Sequence, residues 1–100
     1  MKKVVVLSLG GSTIVPDGID VKFLRKLREV LKRNTKTHKF VVVCGGGSTA
    51  RKYIAGIEKE KIAKKRFFQS LLGIAATRLN ARFMTYFFGR DANKGIPHDM

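Results

Sequence analysis

Phe40-Val41-Val42-Val43-Cys44 is an unbroken apolar run that stops at Gly45-Gly46-Gly47, with Ser48-Thr49-Ala50-Arg51-Lys52-Tyr53 directly behind it. A short apolar run ended by glycines predicts a strand, and its lack of polar alternation suits a parallel strand covered on both faces. Successive glycines let the chain turn sharply and let a ligand reach the backbone unobstructed by Cβ atoms. Ser48 is the expected N-cap of a helix on which Ala50, Tyr53, Ile54 and Ile57 recur at helical spacing. The positive end of a helix attracts anions, and a guanidinium in its first turn, here Arg51, can fork two phosphate oxygens. This stretch therefore predicts phosphate binding.

The same arrangement stands earlier in the chain, where Val4-Val5-Val6-Leu7-Ser8-Leu9 ends in Gly10-Gly11-Ser12. Pro16-Asp17-Gly18 marks a loop. Asp20 then caps a helix with Phe23, Leu24, Leu27, Val30 and Leu31 on one face and Arg25, Lys26, Arg28 and Lys32 opposite. Asn34 and Thr35-Lys36-Thr37 close it, and the second strand follows. Such a β-α-β unit makes the two strands parallel through a right-handed crossover. Both glycine turns then lie at carboxyl ends of strands, the edge where open α/β sheets bind ligands. Two adjacent turns suit a site for more than one phosphate group.

Glu58 to Arg66 carries Lys59, Lys61, Lys64, Lys65 and Arg66 and reads as a solvated connector. Phe67 to Phe88 reads as one helix whose Leu71, Leu72, Ala75, Leu79, Phe83, Tyr86 and Phe87 cover more than half its circumference. That surface calls for more cover than 100 residues supply, either from another subunit or from further chain. Gly89 to Gly95 reads as a loop, and Ile96 to Met100 as the start of an unfinished element.

The 21 Lys and Arg against 7 Asp and Glu give a net charge of +14, which attracts nucleotides, nucleic acid or acidic surfaces alike. Phe67, Phe68, Phe83, Phe87 and Phe88 gather on the apolar helix instead of alternating with basic residues, so only nonspecific nucleic-acid binding is expected. Cys44 is the sole cysteine, which excludes an internal disulfide and points to a reducing compartment. Its place in an apolar strand predicts an inert, packed thiol. His38 and His98 have no ligand spacing, so no metal residues are assigned. The apolar run after Met1-Lys2-Lys3 is too short for a secretory signal, and no segment is long enough to span a membrane. A cytoplasmic location is expected.

Gly45-x-Gly47-x-x-Ala50 fits the loosest dinucleotide fingerprint, but no strand bearing an acid follows it. The P-loop pattern is not completed by Gly-Lys-Ser or Gly-Lys-Thr. Three motifs taken together are more specific. Leu9-Gly10-Gly11-Ser12, then Gly45 to Tyr53, then Leu72-Gly73-Ile74-Ala75-Ala76-Thr77-Arg78-Leu79-Asn80-Ala81, resemble the amino acid kinase superfamily, with the nearest likeness to archaeal-type uridylate kinases.

The resemblance implies an α/β/α sandwich, of which residues 1–100 would be the N-terminal, monophosphate-binding portion without the C-terminal base-binding half. It implies phosphoryl transfer from ATP, with Mg2+, to UMP, giving UDP. Gly10, Gly11, Ser12, Gly47 and Arg51 would face the ATP phosphates, Gly45, Gly46 and Ser70 would serve UMP, and Arg51 would be catalytic. Thr77 and Asn80 match the motif and suit either a ligand or hydrogen bonds that fix the helix. Ser8 stands where many members have a lysine, and Ser70 where they usually have an aspartate. The helix 67–88 would join subunits into a homo-oligomer. By the same resemblance, the isolated chain would be an inactive portion of an enzyme of pyrimidine biosynthesis. The alternatives are a non-catalytic oligomeric nucleotide-binding module and a basic nucleic-acid-binding protein.

Overall fold

The computed structural model describes residues 2–89. Strand β1 spans Lys3–Leu9, a single-turn helix α1 Gly11–Ile14, helix α2 Val21–Arg33, strand β2 His38–Cys44, helix α3 Gly47–Gly56 and helix α4 Lys65–Phe88. The strands pair in parallel, from Lys3 opposite His38 to Leu9 opposite Cys44. The β-α-β reading and the long helix thus stand, and both glycine turns leave the same end of the sheet. The loop and unfinished element expected after Gly89 lie almost wholly outside the described residues.

Local chemistry sets the boundaries of α2. The Asp20 carboxylate accepts the Phe23 N–H at 3.1 Å, supplying one of the partners a helix start lacks. Lys32 and Arg33 occupy the last turn, where positive charge complements the helix dipole. Asn34 then ends the helix, and its amide donates to the Val30 carbonyl at 2.7 Å.

The core sits on one face of the sheet. Ile14, Val15, Leu24, Cys44 and Met84 are buried together, with Leu9, Val42, Phe23, Leu27, Phe83, Phe87 and Phe88 packed around them. Leu24 is fully buried, a position that contributes about 1.5–3 kcal/mol by removal from water. Arg28 ties α2 to the end of α4: its guanidinium lies 4.5 Å from the centre of the Phe87 ring and donates to the Phe87 carbonyl.

The opposite face departs from the expected two-sided cover. Val4, Val6, Val41 and Val43 project there, and among the described residues they remain exposed, Val6 at 65%. Register explains this, because alternate residues face opposite ways and α2 and α4 both pack on the side of Leu9 and Val42. The excess apolar surface of α4 is also real, for Phe67, Leu71, Leu79 and Tyr86 are exposed along it.

A second correction concerns the start of α3. Gly46 is its N-cap and Gly47 its first residue, so Ser48 lies inside the helix. Ser48 is buried and faces backwards: its N–H donates to the Val15 carbonyl at 3.0 Å and its hydroxyl to that of Asp17 at 3.3 Å. It fastens α3 to the loop before α2.

Candidate functional site

The two glycine turns meet backbone to backbone. A Cβ at Gly11 would fall on the backbone of Gly47, and a Cβ at Gly45 would come within 2.6 Å of the Gly11 nitrogen. Gly47 has φ +64°, the left-handed region that glycine enters freely, and a Cβ there would strike the Gly11 carbonyl. The adjoining bonds, Gly45 N–H to the Leu9 carbonyl and Ser48 N–H to that of Val15, are each 3.0 Å. Only glycine fits where the turns cross.

Arg51 bridges the turns from above. Its Nη1 donates to the Ser12 hydroxyl at 2.9 Å and its Nη2 to the Pro16 carbonyl at 3.4 Å. The helix behind the second turn is thereby linked to the first turn, and a fixed positive charge stands beside both. Asp17, the residue after Pro16, is almost fully exposed and pairs with Lys52 at 3.5 Å, a surface contact of small worth.

An open groove of about 890 Å³ runs from the second turn along α4. Gly46, Gly47 and Arg51 form one wall together with Ala50, and Ser70 stands on the other. The remaining lining, Gly73, Ile74, Thr77 and Arg78, comes from the same face of α4. Gly10, Gly11, Ser12 and Gly45 do not line the groove but adjoin it through the crossing and through Arg51. Gly46 has no room for a side chain, since its Cβ would lie 2.7 Å from that of Ala50.

The hydroxyls of α4 are already in use. Ser70 donates to the Arg66 carbonyl and Thr77 to that of Gly73, both at 3.0 Å, so each offers a ligand only its lone pairs. Asn80 is buried beneath the turn and its amide donates to the carbonyls of Gly45 at 2.8 Å and Gly46 at 3.1 Å. Of the two roles open to Asn80, the structure gives it the one of fixing the helix to the turn. Ser8 lies on the exposed valine face, away from the groove.

Arg78 and Ile74 were given no part by sequence, although their spacing from Ser70 already placed all three on one helical face. Burial pushes the Cys44 thiol up from its ordinary range, consistent with an inert side chain. Among the described residues no three His, Cys, Asp or Glu side chains gather to hold a metal. Bare turn backbone and the Arg51 guanidinium give the site a chemistry that suits anionic groups. No helix among the described residues is long and apolar enough to cross a membrane.

The model of the amino acid kinase family matches residues 3–99. This chain belongs to that family. It is 33% identical over 95 residues to a uridylate kinase of Thermococcus onnurineus, covering 95% of this chain and 41% of that protein. It is 39% identical over 80 residues to a uridylate kinase of Pyrococcus abyssi, covering 80% of this chain and 35% of that protein. It is 38% identical over 93 residues to a uridylate kinase of Methanosarcina barkeri, covering 93% and 39% respectively. The chain thus spans roughly two fifths of the length of these curated relatives. The two-stranded parallel sheet with its helices is an incomplete α/β unit of this family's type.

Proposed function

We propose that this chain is the phosphate-positioning part of a UMP kinase, with ATP as donor and UMP as acceptor. The observation that carries the reading is Arg51, whose guanidinium links the second glycine turn to Ser12 of the first. Two backbone turns with a shared arginine suit a reaction that needs two phosphate groups held in line. Gly10, Gly11, Ser12 and Gly47 receive the ATP phosphates, and Gly45 and Gly46 the phosphate of UMP. Ser70 accepts from a ribose hydroxyl through its free lone pairs.

In the transfer, an oxygen of the UMP phosphate bonds to the γ-phosphorus as the bond from that phosphorus to the bridging oxygen of ADP breaks. The developing charge lies on the equatorial oxygens, where a fixed guanidinium and oriented N–H groups are most effective. Magnesium, when bound with ATP, neutralises phosphate charge. The exposed Phe67, Leu71, Leu79 and Tyr86 support the further reading that α4 seats a second copy.

Calorimetric titration with UMP and with ATP·Mg2+ tests the reading. The chain should bind both, and Arg51→Ala should weaken each by about tenfold or more, as expected for lost charge-assisted hydrogen bonds. Binding of both that is indifferent to Arg51→Ala would sink it, as would a folded chain that binds neither.

A further inference from the structure

The groove holds a second guanidinium, and its surroundings differ from those of Arg51. Both arginines line the groove. Arg51 is drawn towards the first glycine turn by Ser12 and the Pro16 carbonyl. Arg78 is exposed on α4, and among the described residues its guanidinium has neither a hydrogen bond nor an ion pair.

Among the described residues no carboxylate lines the groove to balance this charge. The α4 hydroxyls cannot serve an anion as they stand, because Ser70 and Thr77 spend their protons on Arg66 and Gly73. Arg78 is therefore the charged donor that the α4 wall presents. Ser70 and Arg78 are eight residues apart, roughly 12 Å along the helix. Helical side chains lean towards the N-terminus, which sets Arg78 over Ile74 on the α4 wall of the groove.

We propose that Arg78 binds the acceptor's phosphate, so that the groove holds a phosphomonoester dianion between Arg51 on one wall and Arg78 on the other. A dianion matches two guanidinium groups in a groove whose described lining holds no acid, and the forked donors of arginine can engage two of its oxygens at once. The identity of the phosphate's owner rests on the UMP reading; the anion site itself does not.

Titration of the chain with UMP, uridine and inorganic phosphate, each compared with Arg78→Ala and Arg78→Lys, decides the matter. Circular dichroism checks the fold, which an exposed helical Ala preserves. Arg78→Ala should lose about tenfold or more in affinity for both UMP and phosphate and leave uridine unchanged, with Arg78→Lys between it and the wild type. If the wild type binds phosphate but not UMP, and Arg78→Ala loses the phosphate, the anion site stands and the UMP reading fails. Unchanged phosphate and UMP binding in Arg78→Ala overturns the inference alone. A wild type that binds neither overturns both.

Discussion

The side-chain amide of Asn80 donates to the carbonyl of Gly45 at 2.8 Å across 35 residues of sequence, and with its second bond, to Gly46, it holds the glycine turn against α4. The turn's carbonyls thus have a buried partner, and its shape is set from below. Asn80→Ala should remove that partner and destabilise the chain by about 1–3 kcal/mol, read from the urea midpoint. Asn80→Asp should cost more, because a carboxylate would face two carbonyl oxygens without a proton to give.

The turn crossing makes a prediction that separates neighbouring glycines. Gly11→Ala and Gly47→Ala put a Cβ into opposing backbone, whereas Gly10→Ala meets nothing nearer than the Thr13 hydroxyl at 3.9 Å. The first two should abolish phosphate binding and lower the melting temperature, while Gly10→Ala should change the melting temperature little. Thermal melts of the three variants check this.

Cys44 gives the pH dependence. Burial raises its pKa in the folded chain, so the native state keeps the thiol proton after the unfolded state has lost it. The associated stability is present below the unfolded value, about 8.5, and is lost as pH rises beyond it. The urea midpoint should fall more steeply between neutral and alkaline pH in the wild type than in Cys44→Ala, other groups cancelling in the comparison. Alkylation of the thiol should be slow until the chain is unfolded.

The sheet's two faces should respond oppositely to substitution. Leu24→Ala opens a cavity at a side chain with no exposure and should cost about 2–5 kcal/mol. Val6→Thr, on the exposed face, should stay within roughly 0.5 kcal/mol. Denaturant unfolding of both variants would measure the contrast.

Much of this was legible in the chain. Asp20, the spacing of Phe23, Leu24 and Leu27, and the two strand-glycine runs predict the β-α-β unit, because caps and periodicity are local signals. The apolar positions from Leu71 to Phe87 predict a helix over Phe67 to Phe88, the bulk of α4, for the same reason. What sequence missed depends on neighbours distant in the chain. Ser48 has the composition of a cap, yet the Val15 and Asp17 carbonyls claim its donors, and those carbonyls lie more than 30 residues away. Val41 and Val43 read as buried on both sides because an apolar run records what a strand is suited to, and cover is a property of whatever packs on it. Arg78 stands in the third motif without a role, because it is α3, distant in the chain, that makes its helix face one wall of a groove.

The crossing of Gly11 with Gly47 carries a consequence for how the site works. Because neither turn has space to shift without displacing the other, their geometry is settled when the chain folds and not when a ligand arrives. An incoming phosphate has no loops to order and forfeits little affinity to that end. Association is then governed by encounter, which a chain of net charge +14 hastens for any anion and which added salt slows. Selectivity among anions cannot reside in this rigid crossing; it belongs to the side chains arrayed around it.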